Sequence, residues 1–294
     1  MIKKYWFTTF IVISISFLVI KLVNADYLFV PEIKSYQLLS LSLFSLFMGF
    51  ILETLTWKRL LKESGYAIDI YESLASTGLS ILGKYIPGKV WTIIGKAGYL
   101  VDKKNFPKDA ITSLTFNHQI LALWFGVLFG IIGLANFHVS YDLVLMMLGS
   151  FVLLSLLLFL ELPFTILKAA IRKLFKKDID ISSLTLATIL RCSPYVFLNW
   201  AFWCGGFALF VAALTGYPVD LLMGLGFALA ATIGILALFA PGGIGIREGV
   251  LVAVLLLHGL PLREATTIAV SSRLWFLVGE VFYFSISLVA SRQT

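Results

Sequence analysis

The chain has 294 residues, 60% of them hydrophobic and only 13% charged, with a mean hydropathy of +0.96. A soluble domain carries about 25% charged residues, so too little polar surface remains to cover a water-soluble globule, and residues 1–294 read as a single membrane domain. Cys192 and Cys204 lie in one apolar segment, about 18 Å apart along a helix and too far apart for a disulfide.

A spanning helix needs about 20 apolar residues. The first candidate covers residues 5–23. It follows Lys3 and Lys4 and lacks a small-residue cleavage site, so 1–23 is predicted to be a retained signal-anchor helix. Five more spans are predicted at 36–57, 109–136, 141–161, 184–214 and 263–290, giving about six.

Two further apolar regions are each broken by Pro-Gly. In 70–101 the break is Gly83-Lys84-Tyr85-Ile86-Pro87-Gly88-Lys89. Its arms, at about 21 Å each, are shorter than the roughly 30 Å hydrocarbon core, which fits a re-entrant hairpin. In 219–258 the break is Ala240-Pro241-Gly242-Gly243-Ile244-Gly245-Ile246-Arg247-Glu248. There the first arm, to Phe239, is long enough to cross and the second is not. The expected fold is therefore an all-α polytopic membrane protein with two re-entrant hairpins.

Between 163 and 182, Leu167, Ile171, Leu174 and Phe175 recur at helical spacing among Lys168, Arg172, Lys173, Lys176 and Lys177. This reads as a cytoplasmic amphipathic linker, either a basic loop that sets topology or a surface that recognises anionic lipid. With a cytoplasmic N-terminus and two hairpins, 14 of the 23 Lys and Arg fall inside, three fall outside (Lys21, Lys34, Arg263), and six lie at membrane depth. That bias places both termini in the cytoplasm and the protein in the cytoplasmic membrane.

Both breaks are followed twenty residues later by a second proline, Pro107 and Pro261, then a basic–acidic–Ala stretch and a long span. The expected repeats are 36–136 and 184–290. Three spans separate the hairpins, and an odd number inverts the second copy. Inverted repeats whose broken helices meet near the midplane are an architecture of secondary transporters.

Charges at membrane depth are costly and persist when paired, snorkelling or facing a wet cavity. Lys84, Lys89 and Lys96 lie in the first region, Arg247 and Glu248 in the second, and Arg273 and Glu280 in the last span. Helix starts at the breaks present N–H groups to anions, and glycines let a ligand approach the backbone. A lipid phosphate is the natural ligand. The expected binding set is Lys84, Pro87, Gly88, Lys89, Pro241, Gly242, Gly243, Arg247, Glu248, Arg273 and Glu280. The same residues admit blander roles. Lys84 and Lys89 would snorkel, Arg247 and Glu248 would neutralise each other or partners nearby, and Arg273 and Glu280 would form a structural network. Glu53 and Arg191 read as isolated charges with structural or interfacial roles, His118 as a hydrogen-bonded bundle residue, and Tyr195, Phe197, Trp200, Phe202 and Trp203 as lipid-facing. No nucleotide loop, dinucleotide fingerprint, metal-spaced His/Cys cluster or catalytic triad is found, so no catalytic residue, metal or cofactor is expected.

The stretches Pro241–Gly249, Pro261–Ala265 with Ser272-Arg273-Leu274, and Gly83–Gly95 resemble the lysylphosphatidylglycerol synthase transmembrane region, or flippase-like, family over nearly the whole chain. The resemblance implies a polytopic protein linked to translocation of charged or glycosylated lipids. A soluble aminoacyl-transferase domain, fused to this region in multiple-peptide-resistance proteins, is not expected here, and neither is synthase activity. Stand-alone relatives imply polyprenyl-phosphate-linked sugars as cargo. The leading expectation is a flippase or transporter of an anionic lipid or lipid-linked sugar, with Glu248 and Glu280 positioning the bases or carrying coupling protons. The alternatives are an accessory subunit of a membrane glycosyltransferase and an integral enzyme acting on a polyprenyl substrate. No nucleic-acid partner is expected.

Overall fold

The computed structural model describes residues 31–86, 90–134, 141–161, 183–236, 243 and 245–294, with isolated positions at 9, 12, 13, 16, 165, 168 and 169. The signal-anchor helix and the amphipathic linker lie essentially outside the described residues, as do Pro87, Gly88, Lys89, Pro241 and Gly242. The described residues form helices and no strand: α1 (Tyr36–Glu63), α2 (Ile70–Ser80) running into a 3-10 turn (Ile81–Tyr85), α3 (Trp91–Lys104), α4 (Lys108–Leu134), α5 (Tyr141–Phe159), α6 (Leu186–Thr215), α7 (Leu221–Leu236), α8 (Ile246–Leu257) and α9 (Leu262–Ala290). The protein is thus an all-α polytopic membrane protein. Helices α1, α4, α6 and α9 are long and apolar enough to cross a bilayer. Helix α5, at 19 residues, reaches about 28 Å and carries mostly exposed apolar side chains, as a lipid-facing helix does.

Helices α1 and α6 pack against each other more extensively than any other pair. Lipid offers no hydrophobic drive for helix association, so contact depends on small residues and interhelical hydrogen bonds. Ser42 and Ser45 donate to the Gly206 and Phe202 carbonyls at 2.6 Å each, and Asn199 donates to the Gly49 carbonyl at 2.8 Å. The pair is antiparallel. At one end Lys34 and Ser35 meet the Ala213 and Thr215 carbonyls; at the other, Arg191 pairs with Glu63. Arg191 is therefore a half-exposed rim residue of an ion pair, not an isolated charge at depth.

The two broken regions fold as helix pairs, α2 against α3 and α7 against α8. At 11, 14, 16 and 12 residues, their arms measure about 17, 21, 24 and 18 Å. The second region's first arm is described to Leu236, and its continuation to Phe239 lies outside the described residues. Asp69 caps α2 in a reciprocal box with Glu72, and Glu72 also pairs with Lys104 at the end of α3. This foot lies at the Glu63 end of α1, where Tyr99 meets Thr294 at 2.7 Å. The foot of the second pair, Asp220 and His258 at 3.7 Å, follows Thr215 at the Lys34 end.

Each broken region leans on the last long helix of the other half. Helix α2 packs on α9 and α7 packs on α4. At the first contact the Tyr283 hydroxyl meets those of Thr54 and Thr77 at 2.5 Å, and Ser287 donates to the Leu74 carbonyl at 2.9 Å. Close approach is also written into α7, where a methyl group on Gly224 would overlap the Cys204 carbonyl of α6, whereas one on Gly149 of α5 meets nothing within 4 Å. Gly224→Ala is expected to destabilise the protein by about 1–3 kcal/mol and Gly149→Ala not to destabilise it. Thermal unfolding in detergent reads both.

Candidate functional site

Where the helix breaks meet, a cavity of about 270 Å³ opens. All the described helices except α2 and α5 contribute lining residues, and the 3-10 turn that follows α2 does too. Its charged and polar lining is Glu53 and Thr56 from α1, Lys84 from the 3-10 turn, Thr92 from α3, His118 and Gln119 from α4, Asn199 from α6, Arg247 from α8 and Glu280 from α9. The remainder is chiefly apolar and aromatic, including Phe50, Trp200, Trp203, Phe227 and Phe276.

Lys84 and Arg247, one from each break, both sit over the Phe276 ring, at 4.9 and 5.4 Å from its centroid, and Arg247 also lies 5.0 Å from that of Phe227. Aromatic faces attract cations electrostatically, more so when desolvated. Lys84 pairs with the fully buried Glu280, which also accepts from the Tyr85 hydroxyl at 2.7 Å. It is held inward by a counter-ion and does not snorkel.

Glu248 pairs with Arg273, not with its sequence neighbour Arg247. Its other oxygen accepts from the Gly245 amide at 2.7 Å. The Gly245 amide at the α8 start thus serves Glu248. Arg273 and Glu280 share helix α9 but bond to different breaks. Gly243 has φ +68°, and a methyl there would meet the Gly234 Cα at 2.9 Å, so this break needs glycine both for its backbone conformation and for its close approach to α7.

Of the residues expected from the sequence, Lys84, Gly243, Arg247 and Glu280 line the cavity. Glu248 and Arg273 pair with each other and are not among the lining residues, and Pro87, Gly88, Lys89, Pro241 and Gly242 lie outside the described residues. Glu53, Lys96 and His118 were left out of that set. Glu53 faces the cavity, where Lys84 and Lys96 are close enough for their charges to act on it. Lys96 is buried, 4.3 Å from the Trp57 ring centroid and 3.2 Å from His118 Nδ1. Trp200 and Trp203 line the cavity too, against the expectation that this cluster faces lipid. The Trp200 indole donates to the Ala122 carbonyl at 2.8 Å. The Trp203 indole N–H and the Thr92 hydroxyl are buried without a hydrogen-bond partner among the described residues. Such groups are costly unless a ligand or water satisfies them.

A cavity with two inward cations, paired acids and a largely apolar wall suits an amphiphile with a charged head. A family model, the lysylphosphatidylglycerol synthase TM region, matches residues 8–279. The chain belongs to that family. It is a membrane protein of the lysylphosphatidylglycerol synthase transmembrane, flippase-like type. No curated protein and no solved structure matches it.

Within this family member the Lys84–Glu280 pair joins the first break to the last helix. Lys84→Met leaves the Glu280 carboxylate buried without its ammonium partner and is expected to cost about 3 kcal/mol. Glu280→Gln is expected to cost less, because the Lys84 side chain, 35% exposed, faces the cavity and can be hydrated. The double variant should cost less than the sum, with a coupling of about 1–3 kcal/mol. Additive losses in a detergent unfolding cycle would mean that the pair is absent.

Proposed function

We propose that the protein moves a phosphate-bearing lipid, either an anionic phospholipid or a polyprenyl-phosphate-linked sugar, across the cytoplasmic membrane. The observation that carries this reading is the convergence of Lys84 and Arg247, one from each helix break, on a single cavity. A phosphate entering it would meet two cations and the unused donors of Thr92 and Trp203, while the lipid tail remains in an apolar surround. Charge-assisted contacts of this kind contribute about 1.5–3 kcal/mol each.

Helix packing supports an inverted repeat that relates α1–α4 to α6–α9. Under that relation α2 on α9 corresponds to α7 on α4, α2 on α3 to α7 on α8, and α3 on α4 to α8 on α9, and all of these pairs pack. Because α1 and α6 are antiparallel, the hairpin feet lie at opposite ends of that pair. In the proposed topology the hairpins re-enter from opposite faces and meet at the cavity. Alternating access would then be a rocking of one half against the other.

The end that carries Lys58, Arg59, Lys62, Lys103, Lys104, Lys108 and Arg292 is assigned to the cytoplasm. The other end carries only Lys34 and Arg263 among the described lysines and arginines.

The test is headgroup translocation in reconstituted liposomes, using fluorescent phosphatidylglycerol and a polyprenyl phosphate as separate cargoes. Arg247→Ala and Lys84→Ala are expected to slow one of them at least tenfold, the equivalent of about 1.4 kcal/mol. Lys103→Ala, on the exposed foot of the hairpin, should be unaffected. Unchanged rates in both cavity variants would overturn the reading.

A further inference from the structure

The headgroup cations occupy one part of the cavity wall, and a second set of titratable groups lies outside the proposed phosphate clamp. Glu53 projects from α1 into the cavity and makes no hydrogen bond or ion pair among the described residues. Lys96 comes from α3 and His118 from α4. The Lys96 ammonium has three protons to donate and no lone pair, so at 3.2 Å from Nδ1 it is a donor and His118 must accept. Both side chains cannot carry a positive charge in this geometry. The pair therefore holds one shareable proton and one positive charge, against which the Glu53 carboxylate stands.

The surrounding charges frame this unit. Lys84 acts on Glu53 from the first break, Arg247 faces the cavity from α8, and Glu280 faces it from α9 but is already bound by Lys84 and Tyr85. Arg273 lies close enough for its charge to reach Lys84 and is paired with Glu248. Helix α6 contributes the polar Asn199 but no charged side chain to the lining, and α7 contributes only apolar residues. The two acids that sequence reasoning assigned to coupling protons are thus both engaged in ion pairs, and Glu53 is the cavity acid that is not.

We infer that Glu53, Lys96 and His118 form a proton-binding unit that takes up a proton when an anionic headgroup enters the cavity. This inference rests on the phosphate reading for its trigger. The step balances simply. A proton from water reaches Glu53 and converts its carboxylate to the acid, while Lys96 keeps its ammonium and His118 stays neutral. The unit passes from net neutral to one positive charge. That charge offsets part of the negative charge that the phosphate brings into a low-dielectric space, where uncompensated charge is expensive. When the headgroup leaves, the proton leaves with it or by the opposite face, which links lipid movement to a proton.

The test is infrared difference spectroscopy on the protein in phosphatidylcholine vesicles, following the carbonyl stretch of protonated carboxyl groups. In one arm the vesicles are acidified without added ligand. In the other, inorganic phosphate or glycerol phosphate is added at constant pH with bound ligand measured in parallel. The expected result is a protonated-carboxyl band that rises in both arms, is absent in Glu53→Gln, and moves to higher pH in Lys96→Met. Methionine removes the positive charge that favours the Glu53 carboxylate over its acid. Should Glu53→Gln fail to fold, Lys96→Met alone carries the comparison.

Acidification that raises no such band, or an identical band in both variants, overturns the proton unit whatever phosphate does. Phosphate that binds without raising the band overturns the coupling. Phosphate that fails to bind while the acid-induced, Glu53-dependent band is present sinks the phosphate clamp and the trigger, but leaves the proton site standing.

Discussion

A charge in hydrocarbon must be matched, and helix α9 is where this protein does the matching. Glu280 holds Lys84 of the first break, and Arg273 holds Glu248 of the second. Two broken helix pairs that enter from opposite ends of the α1–α6 pair are thereby tied to one continuous helix, with Phe276 between the tie points and both Lys84 and Arg247 over its ring. Removing a buried partner leaves the other charge uncompensated, which costs far more than the pair contributes when intact. Hence the ion pairs fix where the breaks sit, more than how stable the whole is.

That positioning leaves the cavity its character. In the proposed topology the short arms end inside the protein, where backbone that would be intolerable against lipid borders a polar space. Gly243 can lie against Gly234 because neither carries a side chain. The wall combines aromatic rings with donors and two inward cations, a combination suited to an amphiphile's head. The proposed proton unit sits beside the cations, so entry of a negative head and protonation of Glu53 would be electrostatically favourable together.

Much of the fold was legible in the sequence because the bilayer allows few solutions. Apolar runs of about twenty residues located α1, α4, α6 and α9, and the Pro-Gly breaks located the short helix pairs. Charge partners were harder to read. Glu248 follows Arg247 in the chain but bonds to Arg273, and Glu280 is seven residues from Arg273 but bonds to Lys84, because partners are chosen by how helices pack across sequence separations of 25 and 196 residues. Glu53 and His118 each sit alone in an apolar helix, a pattern shared by structural and functional polar residues; only the convergence of α1, α3 and α4 separates the two. Trp200 and Trp203 were misread for the same reason, since an aromatic cluster in a membrane helix does not reveal which face meets lipid.

The most direct test of the account is whether the two breaks adjoin one another inside the bilayer. With Cys192 and Cys204 replaced by serine, single cysteines at Ile81 and Ile235, both of which line the cavity, would be treated in native membranes with a short bifunctional thiol reagent. Efficient crosslinking of the double variant, with poor labelling of either single variant by a membrane-impermeant maleimide, is expected. Rapid labelling of each position from opposite faces with no crosslink would contradict the shared cavity.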